Sequence, residues 1–121
     1  MDYFEKRILV VEDDEEMRSL LKDFLKSEGY KVDSANNGSE AFRKLARQLF
    51  NLIITDIRMP GLSGLDILPG IKKLQPQAPI IVITAFGSDE VCQKAFERGA
   101  SVYLRKPIDL PNLGTLIRNY S

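Results

Sequence analysis

Short runs of consecutive apolar residues recur along the chain, and polar or turn-forming residues bound each of them. Most of these runs are rich in Ile, Val and Leu and lack helical spacing, which is typical of strands buried on both faces of a parallel sheet. They predict strands at residues 8–11, 32–35, 52–56, 80–83 (ending at Thr84) and 101–104, of which the second is the weakest.

Between these runs, apolar residues lie three and four positions apart, which predicts five amphipathic helices. The expected inner faces are Met17, Leu20, Leu21, Phe24 and Leu25; Ala41, Phe42, Leu45, Ala46 and Leu49; Leu65, Leu68, Ile71 and Leu74; Val91 and Ala95 with Cys92 and Phe96; and Leu113, Leu116 and Ile117. Residues 14–16 supply acidic groups to the first turn of the first helix, and Ser88 can cap the fourth. Gly29 and Gly99 follow the first and fourth helices.

The third helical pattern contains Pro69 followed by Gly70. Because a proline inside a helix removes a hydrogen bond, we expect either a kink there or a new helix start with Pro69 as its first residue.

Strand and helix alternate five times, which predicts one α/β domain over residues 1–121, with a parallel sheet and helices on both faces. The 17 basic and 17 acidic residues balance, which argues against direct contact with nucleic acid. The sequence contains no apolar span long enough to predict a membrane helix. Cys92 is the only cysteine, so no internal disulfide can form, and we expect a cytoplasmic location. The chain has no histidine, so its chemistry depends on carboxylates, hydroxyls, lysine and the backbone.

Polar residues follow or end four of the predicted strands: Glu12 and Asp13, Asp56, Thr84 and Lys106. Parallel strands bring their carboxyl ends to one edge of the sheet, so these side chains should converge. Three carboxylates close together repel one another, and Lys106 neutralises only one of them. Oxygen ligands without His or Cys favour Mg²⁺.

Roles for the metal ligands follow from this geometry. Asp13 would bind Mg²⁺ directly, together with Asp56, and the longer Glu12 would act through a metal-bound water. The backbone carbonyl of Arg58 is the most plausible further ligand.

The same geometry gives Asp56 the role of nucleophile toward phosphorus, forming an acyl phosphate. Lys106 and the hydroxyl of Thr84 would hold phosphoryl oxygens. Taken singly, each residue has a simpler explanation: Asp56 as a cap, the acidic run at 12–14 as a helix start, Thr84 as a strand end and Lys106 as a surface lysine. Their joint occurrence at four strand ends favours the site.

Four segments together resemble the receiver domain of bacterial two-component response regulators, over nearly the whole chain. They are Ile8-Leu9-Val10-Val11-Glu12-Asp13-Asp14, Thr55-Asp56-Ile57-Arg58-Met59-Pro60-Gly61, Ile83-Thr84-Ala85 and Tyr103-Leu104-Arg105-Lys106-Pro107. The sequence around Asp56, together with Thr84-Ala85-Phe86-Gly87-Ser88, further resembles receivers of enhancer-binding transcriptional activators. The segment would then be the N-terminal part of a longer regulator.

The resemblance implies a flavodoxin-like, doubly wound (βα)5 fold with strand order 2-1-3-4-5 and a cis peptide between Lys106 and Pro107. It implies Mg²⁺-dependent transfer of a phosphoryl group from a sensor histidine kinase to Asp56. Thr84 would then move toward the phosphoryl group, and Tyr103 would turn inward. The surface of the fourth helix, fifth strand and fifth helix would carry the output, control of transcription, and would form a homodimer.

Two alternatives remain open. A magnesium phosphohydrolase of the aspartyl-nucleophile kind usually has a second Asp two residues after the nucleophile, where this chain has Arg58. An interaction domain that has lost phosphorylation would not need the complete set of Asp13, Asp56, Thr84 and Lys106. We therefore expect a phosphoacceptor domain that assists its own phosphorylation and dephosphorylation and is not an enzyme in the usual sense.

Overall fold

The computed structural model describes residues 6–57, 64–85 and 88–120. Strands and helices alternate in the order β1 (Arg7–Val11), α1 (Glu15–Ser27), β2 (Lys31–Ala35), α2 (Gly38–Leu45), β3 (Leu52–Asp56), α3 (Gly64–Leu74), β4 (Ile80–Thr84), α4 (Asp89–Glu97), β5 (Val102–Arg105) and α5 (Leu110–Tyr120). The predicted alternation is confirmed, and each strand boundary is met to within a single residue. Within the described ranges, no helix combines the length and apolar character needed to span a membrane.

The five strands form one parallel sheet in the order β2-β1-β3-β4-β5, as the resemblance implied. The central strand β3 is buried along its whole length, and so is β4. Because all strands point the same way, their carboxyl ends share one edge, which we call the carboxyl edge. The opposite side, where the strands begin, is the amino edge.

Each strand of the sheet centre contributes to two cores, since successive side chains point to opposite faces. In β1, Ile8 and Val10 face the core that α1 and α5 cover, while Leu9 and Val11 face the core of α2, α3 and α4. Helices therefore cover both faces, which leaves the strand ends as the places where polar side chains can gather.

Five of the predicted inward residues are exposed instead: Leu20, Ala46, Leu49, Leu74 and Phe96. The second helix ends at Leu45, so Leu49 lies beyond it at 81% exposure, and the neighbouring Phe50 is buried in its place. Leu20 lies beside the narrow buried stripe of α1, and Leu74 is the last residue of α3. For Ala46, Leu49 and Leu74 the predictions were wrong because the helical pattern extended to or past the last turns of α2 and α3, whereas Leu20 and Phe96 lie inside their helices beside the buried residues Leu21 and Ala95.

The helix α3 runs without a break from Gly64 to Leu74, with Pro69 inside it. The expected new helix start at Pro69 was therefore wrong. Ile67, Leu68 and Ile71 are fully buried, and each contributes roughly 1.5–3 kcal/mol on burial. Their sum exceeds the cost of an internal proline, about 3 kcal/mol, so packing outweighs the local preference.

Helix ends follow the sequence signals closely. Asp14 caps α1, with its carboxylate accepting a hydrogen bond from the Met17 amide at 2.9 Å, so it precedes the first turn in which we had placed it. Ser88 caps α4 as predicted. Gly29 and Gly99 have φ angles of 97° and 118°, which confirms the expected left-handed positions after α1 and α4.

Candidate functional site

Charged side chains from three strand ends meet at the carboxyl edge. Lys106, directly after β5, places its Nζ 2.8 Å from Oε1 of Glu12 and 2.9 Å from Oδ2 of Asp56. One oxygen each of Glu12, Asp13 and Asp56 lies within 4.8 Å of the others. The predicted convergence of these four side chains is confirmed, and we call the set the acidic cluster with Lys106.

The three carboxylates differ in how far they reach solvent. Asp56 is 6% exposed and Glu12 is 2% exposed, whereas Asp13 is open to solvent. Asp56 ends the fully buried strand β3, so the backbone that carries it is held on both sides by neighbouring strands. A ligand would therefore approach past Asp13 and meet a carboxylate on a rigid support.

Lys106 is fixed through its backbone as well as its side chain. Its amide donates to the carbonyl of Thr84 at 2.9 Å, and its peptide bond to Pro107 is cis, as the resemblance implied. Burial alone would lower the pKa of Lys106, but the bonds to Glu12 and Asp56 outweigh burial and raise that pKa. The ammonium therefore remains charged and serves two carboxylates.

Both oxygens of Glu12 have partners. Oε1 accepts from Lys106, and Oε2 accepts from the Asp14 amide at 3.2 Å. Burial raises the pKa of Glu12, and the charge of Asp56 acts in the same direction. Lys106 and the Asp14 amide partly offset this rise. Glu12 is thus held by two donors at a place where burial disfavours its charged form.

The oxygen atoms of the acidic cluster fit a hard divalent cation. The cluster brings three carboxyl groups together with one ammonium, so its acidic groups outnumber its basic group by two, an excess that one divalent ion could balance. All side-chain donors are carboxylate oxygens, the ligand type that such cations prefer. Glu12, Asp13 and Asp56 are the residues that would hold the ion.

The predicted ligand on the backbone of Arg58 lies outside the described residues. The two ends of that loop are nevertheless tied, because the Gly64 amide donates to the carbonyl of Ile57 at 3.0 Å. A Cβ added at Gly64 would lie 2.1 Å from Cα of Ile57, so only glycine permits this closure next to the end of β3. The sequence pattern did not identify this role, since it depends on the approach of a residue seven positions away.

Thr84 and Tyr103, the predicted switch residues, lie on neighbouring strands. Thr84 ends β4 and is fully buried, one position after the residue that pairs with Asp56 in the sheet. Tyr103 in β5 is half-buried, and its ring centroid lies 6.5 Å from that of Phe96 in α4. Burial raises the pKa of Tyr103. Their positions suit the expected roles, which remain predictions.

Arg18 is a site residue that the sequence did not reveal. From α1, its Nη1 donates to the backbone carbonyls of Glu12 at 2.9 Å and of Asp13 at 3.3 Å. In the sequence it is one more polar position on an amphipathic helix, and no motif predicts that a side chain would bind these carbonyls.

Comparison with known proteins assigns the family. The family model described as "Response regulator receiver domain" matches residues 8–118. The transcriptional regulatory protein ZraR of Escherichia coli is 40% identical over 106 residues, which are 88% of this chain and 24% of ZraR. The DNA-binding transcriptional regulator NtrC of Azospirillum brasilense is 42% identical over 110 residues, which are 91% of this chain and 23% of NtrC. The chain thus spans about a quarter of the length of these relatives.

Solved structures agree with this assignment. A CheY-like receiver domain protein from Methanospirillum hungatei has a TM-score of 0.93 at 33% identity, covering 96% of this chain and 93% of that one. Response regulator TrrA from Thermotoga maritima, in complex with Mg²⁺-BeF, has a TM-score of 0.86 at 38% identity, covering 96% and 99%. A response regulator from Burkholderia pseudomallei with a phosphorylated aspartic acid and a calcium ion has a TM-score of 0.87 at 29% identity, covering 95% and 72%. The acidic cluster with Lys106 is thus carried by a receiver domain, and the chain belongs to the two-component response regulator family.

Proposed function

We propose that this receiver domain takes a phosphoryl group onto Asp56 from the phosphohistidine of a sensor kinase, with Mg²⁺ in the acidic cluster. The observation that carries the proposal is the pairing of a buried strand-end carboxylate, Asp56, with the ammonium of Lys106 at 2.9 Å beside two further carboxylates. Residues 1–121 contain no histidine, so the donor imidazole lies outside this domain.

In the transfer, a carboxylate oxygen of Asp56 forms a bond to phosphorus while the bond from phosphorus to the donor imidazole nitrogen breaks. The electron pair of the broken bond leaves with the imidazole. Lys106 stabilises the negative charge of the phosphoryl oxygens, and the hydroxyl of Thr84 binds one of them. Bound Mg²⁺ would neutralise part of the charge that otherwise repels the phosphoryl group from three carboxylates.

The cluster is better suited to Mg²⁺ than to Ca²⁺, which usually takes about six to eight oxygen ligands. Mg²⁺ keeps several waters and takes few protein carboxylates, and the cluster offers three, one of them exposed. The Thermotoga relative in complex with Mg²⁺-BeF and the Burkholderia relative with a phosphorylated aspartic acid support the same chemistry here.

The output runs through the surface of α4, β5 and α5. Thr84 moves toward the phosphoryl group, the space it leaves lets Tyr103 turn inward from its contact with Phe96, and the surface changes shape. This surface then forms a homodimer or contacts the rest of a longer regulator. The relatives are named as transcriptional regulators, which supports transcription as the output and the cytoplasm as the place.

The test is the intact mass of the protein after incubation with acetyl phosphate, with Mg²⁺ or with EDTA. We expect the gain of one phosphoryl group with Mg²⁺ and none with EDTA. Asp56→Ala should abolish the gain, whereas Asp23→Ala, which removes an exposed carboxylate from α1, should leave it intact.

Two results would contradict the proposal. No gain under any condition, including incubation with phosphorylated histidine kinases, would favour the interaction-domain alternative. Rapid multiple turnover of a small phosphate ester would instead favour the phosphohydrolase alternative, which the family match does not support.

A further inference from the structure

The turn between β1 and α1 carries two of the three acidic residues, and its backbone is held at three points. The Glu12 amide donates to the carbonyl of Ala35 in β2 at 3.0 Å, and Asp14 caps the helix. Between these points, Nη1 of Arg18 binds the carbonyls of Glu12 and Asp13. One side chain therefore fixes the two successive peptide groups that present the acidic residues.

Asp13 depends on this arrangement more than its neighbours do. Glu12 and Asp56 are buried and both are bonded to Lys106, which fixes their carboxylates directly. The carboxylate of Asp13 is exposed and accepts no hydrogen bond from any residue in the described part of the chain. Its direction is therefore set through its backbone, and that backbone is held by Arg18.

We propose that Arg18 is a positioning residue for the cation site, which orients Asp13 by binding the two carbonyls of the turn. The inference rests on the proposed function, because it assigns a role in binding the same Mg²⁺. Groups that orient a metal ligand without touching the metal commonly change affinity by about 10–100-fold when they are removed.

Charge and positioning predict opposite results at Arg18, which makes the role testable. A guanidinium close to a cation site repels the cation, so removal of its charge alone would tighten Mg²⁺ binding. Loss of the two hydrogen bonds would let the turn and Asp13 move, which would weaken binding. The sign of the change in affinity therefore separates the two effects.

The experiment is a calorimetric titration of the metal-free protein with MgCl₂, for the wild type, Arg18→Met, Arg18→Lys and Lys22→Met. Lys22 is the matched control, because it lies one turn further along α1 and its charge acts on Asp33 in β2 and not on Glu12 of the acidic cluster. We expect Arg18→Met to weaken Mg²⁺ binding by about 10-fold, and Arg18→Lys, which keeps the charge and a donor, to fall in between. Lys22→Met should bind as the wild type does or slightly more tightly.

A denaturation curve of each variant in EDTA shows whether that variant is folded, so that a loss of folding is not mistaken for a loss of Mg²⁺ affinity. If Arg18→Met stays folded and binds Mg²⁺ as tightly as the wild type or more tightly, the proposal is overturned. The proposal would also be overturned if Lys22→Met lost as much Mg²⁺ affinity as Arg18→Met. A wild type that binds no Mg²⁺ would instead defeat the proposed function, so the two failures are distinguishable.

Discussion

The two edges of the sheet solve the problem of buried polar groups in different ways. At the amino edge, Gln75 is 2% exposed, and its Nε2 donates to the carbonyls of Leu45 at 3.0 Å and Gln48 at 2.6 Å. Its Oε1 accepts from the Phe50 amide at 2.8 Å. Every partner is a neutral backbone group, and the side chain joins the end of α2, the start of β3 and the end of α3.

At the carboxyl edge, Lys106 is the corresponding central residue. Its single ammonium group faces more than one carboxyl group. It contacts Glu12 and Asp56, and Asp13 adds a third carboxylate. The neutral network of Gln75 is complete and gains nothing from a ligand. The charged cluster has more carboxyl groups than basic groups and, on the proposed function, takes a cation. One sheet would then use buried polar groups for stability at one edge and for binding at the other.

The largest effect should come from Lys106→Met in the absence of metal. Removing one partner leaves buried carboxylates that repel each other, so we expect the free energy of unfolding to fall by roughly 3–5 kcal/mol near neutral pH. Added Mg²⁺ should restore part of that loss, since it supplies positive charge to the folded state only. Urea denaturation in EDTA and in Mg²⁺ measures both.

Lys73→Met, on the exposed side of α3, is the control for loss of a lysine charge and should change stability by less than about 0.5 kcal/mol. A small loss in Lys106→Met that Mg²⁺ does not alter would remove the distinction between the two edges.

Gln75→Leu should give the next largest effect. It leaves the carbonyls of Leu45 and Gln48 and the amide of Phe50 without their side-chain partner, and we expect a loss of about 2–3 kcal/mol. The loss should be the same in EDTA and in Mg²⁺, and phosphoryl labelling of the folded fraction should be unchanged. Gln77→Leu, on the exposed part of the same loop, should have little effect on the unfolding curve. A Mg²⁺-dependent defect in Gln75→Leu would argue against separate roles for the two edges.

The smallest effect should come from Asp33 on the edge strand β2, where Lys44 Nζ lies 2.8 Å from its Oδ1. Burial alone would raise the pKa of Asp33, but the hydrogen bonds from Lys44 and the Ser34 amide, with the charges of Lys44 and Lys22, together outweigh burial and hold that pKa below its usual 3.8. The pair therefore stabilises the fold above that pH, and this contribution is lost as pH falls through the lower pKa. Because both side chains are about one third exposed, Asp33→Asn should cost only about 0.5 kcal/mol at pH 7.

Urea curves of Asp33→Asn and the wild type between pH 7 and pH 3 would measure this difference. It should shrink toward zero at the acid end of the range. A difference that grows on acidification would contradict the assigned direction of the pKa.

Much of the fold and of the acidic cluster could be predicted because both depend on regular features of the chain. Buried strands such as β3 and β4 appear as unbroken Ile and Val runs, and parallel strands bring Glu12, Asp56 and Lys106 together at one edge. The cis peptide before Pro107 and the strand order came from the family resemblance alone.

What could not be predicted depends on contacts that leave no local pattern. Leu49 and Phe50 are adjacent apolar residues, and only the end of α2 at Leu45 decides that the second of them is buried. Gln75 and Arg18 look like ordinary polar residues, because their partners are backbone groups that only the folded chain brings near.

The most direct test of the division between the two edges is a titration of the ¹⁵N-labelled protein with MgCl₂, followed by the backbone amide shifts. We expect the largest changes at Glu12, Asp13, Asp56 and Lys106, with none above background at Phe50 and Gln75. Changes centred on the amino edge, or no saturable change anywhere, would contradict the assignment of the carboxyl edge as the cation and phosphoryl site.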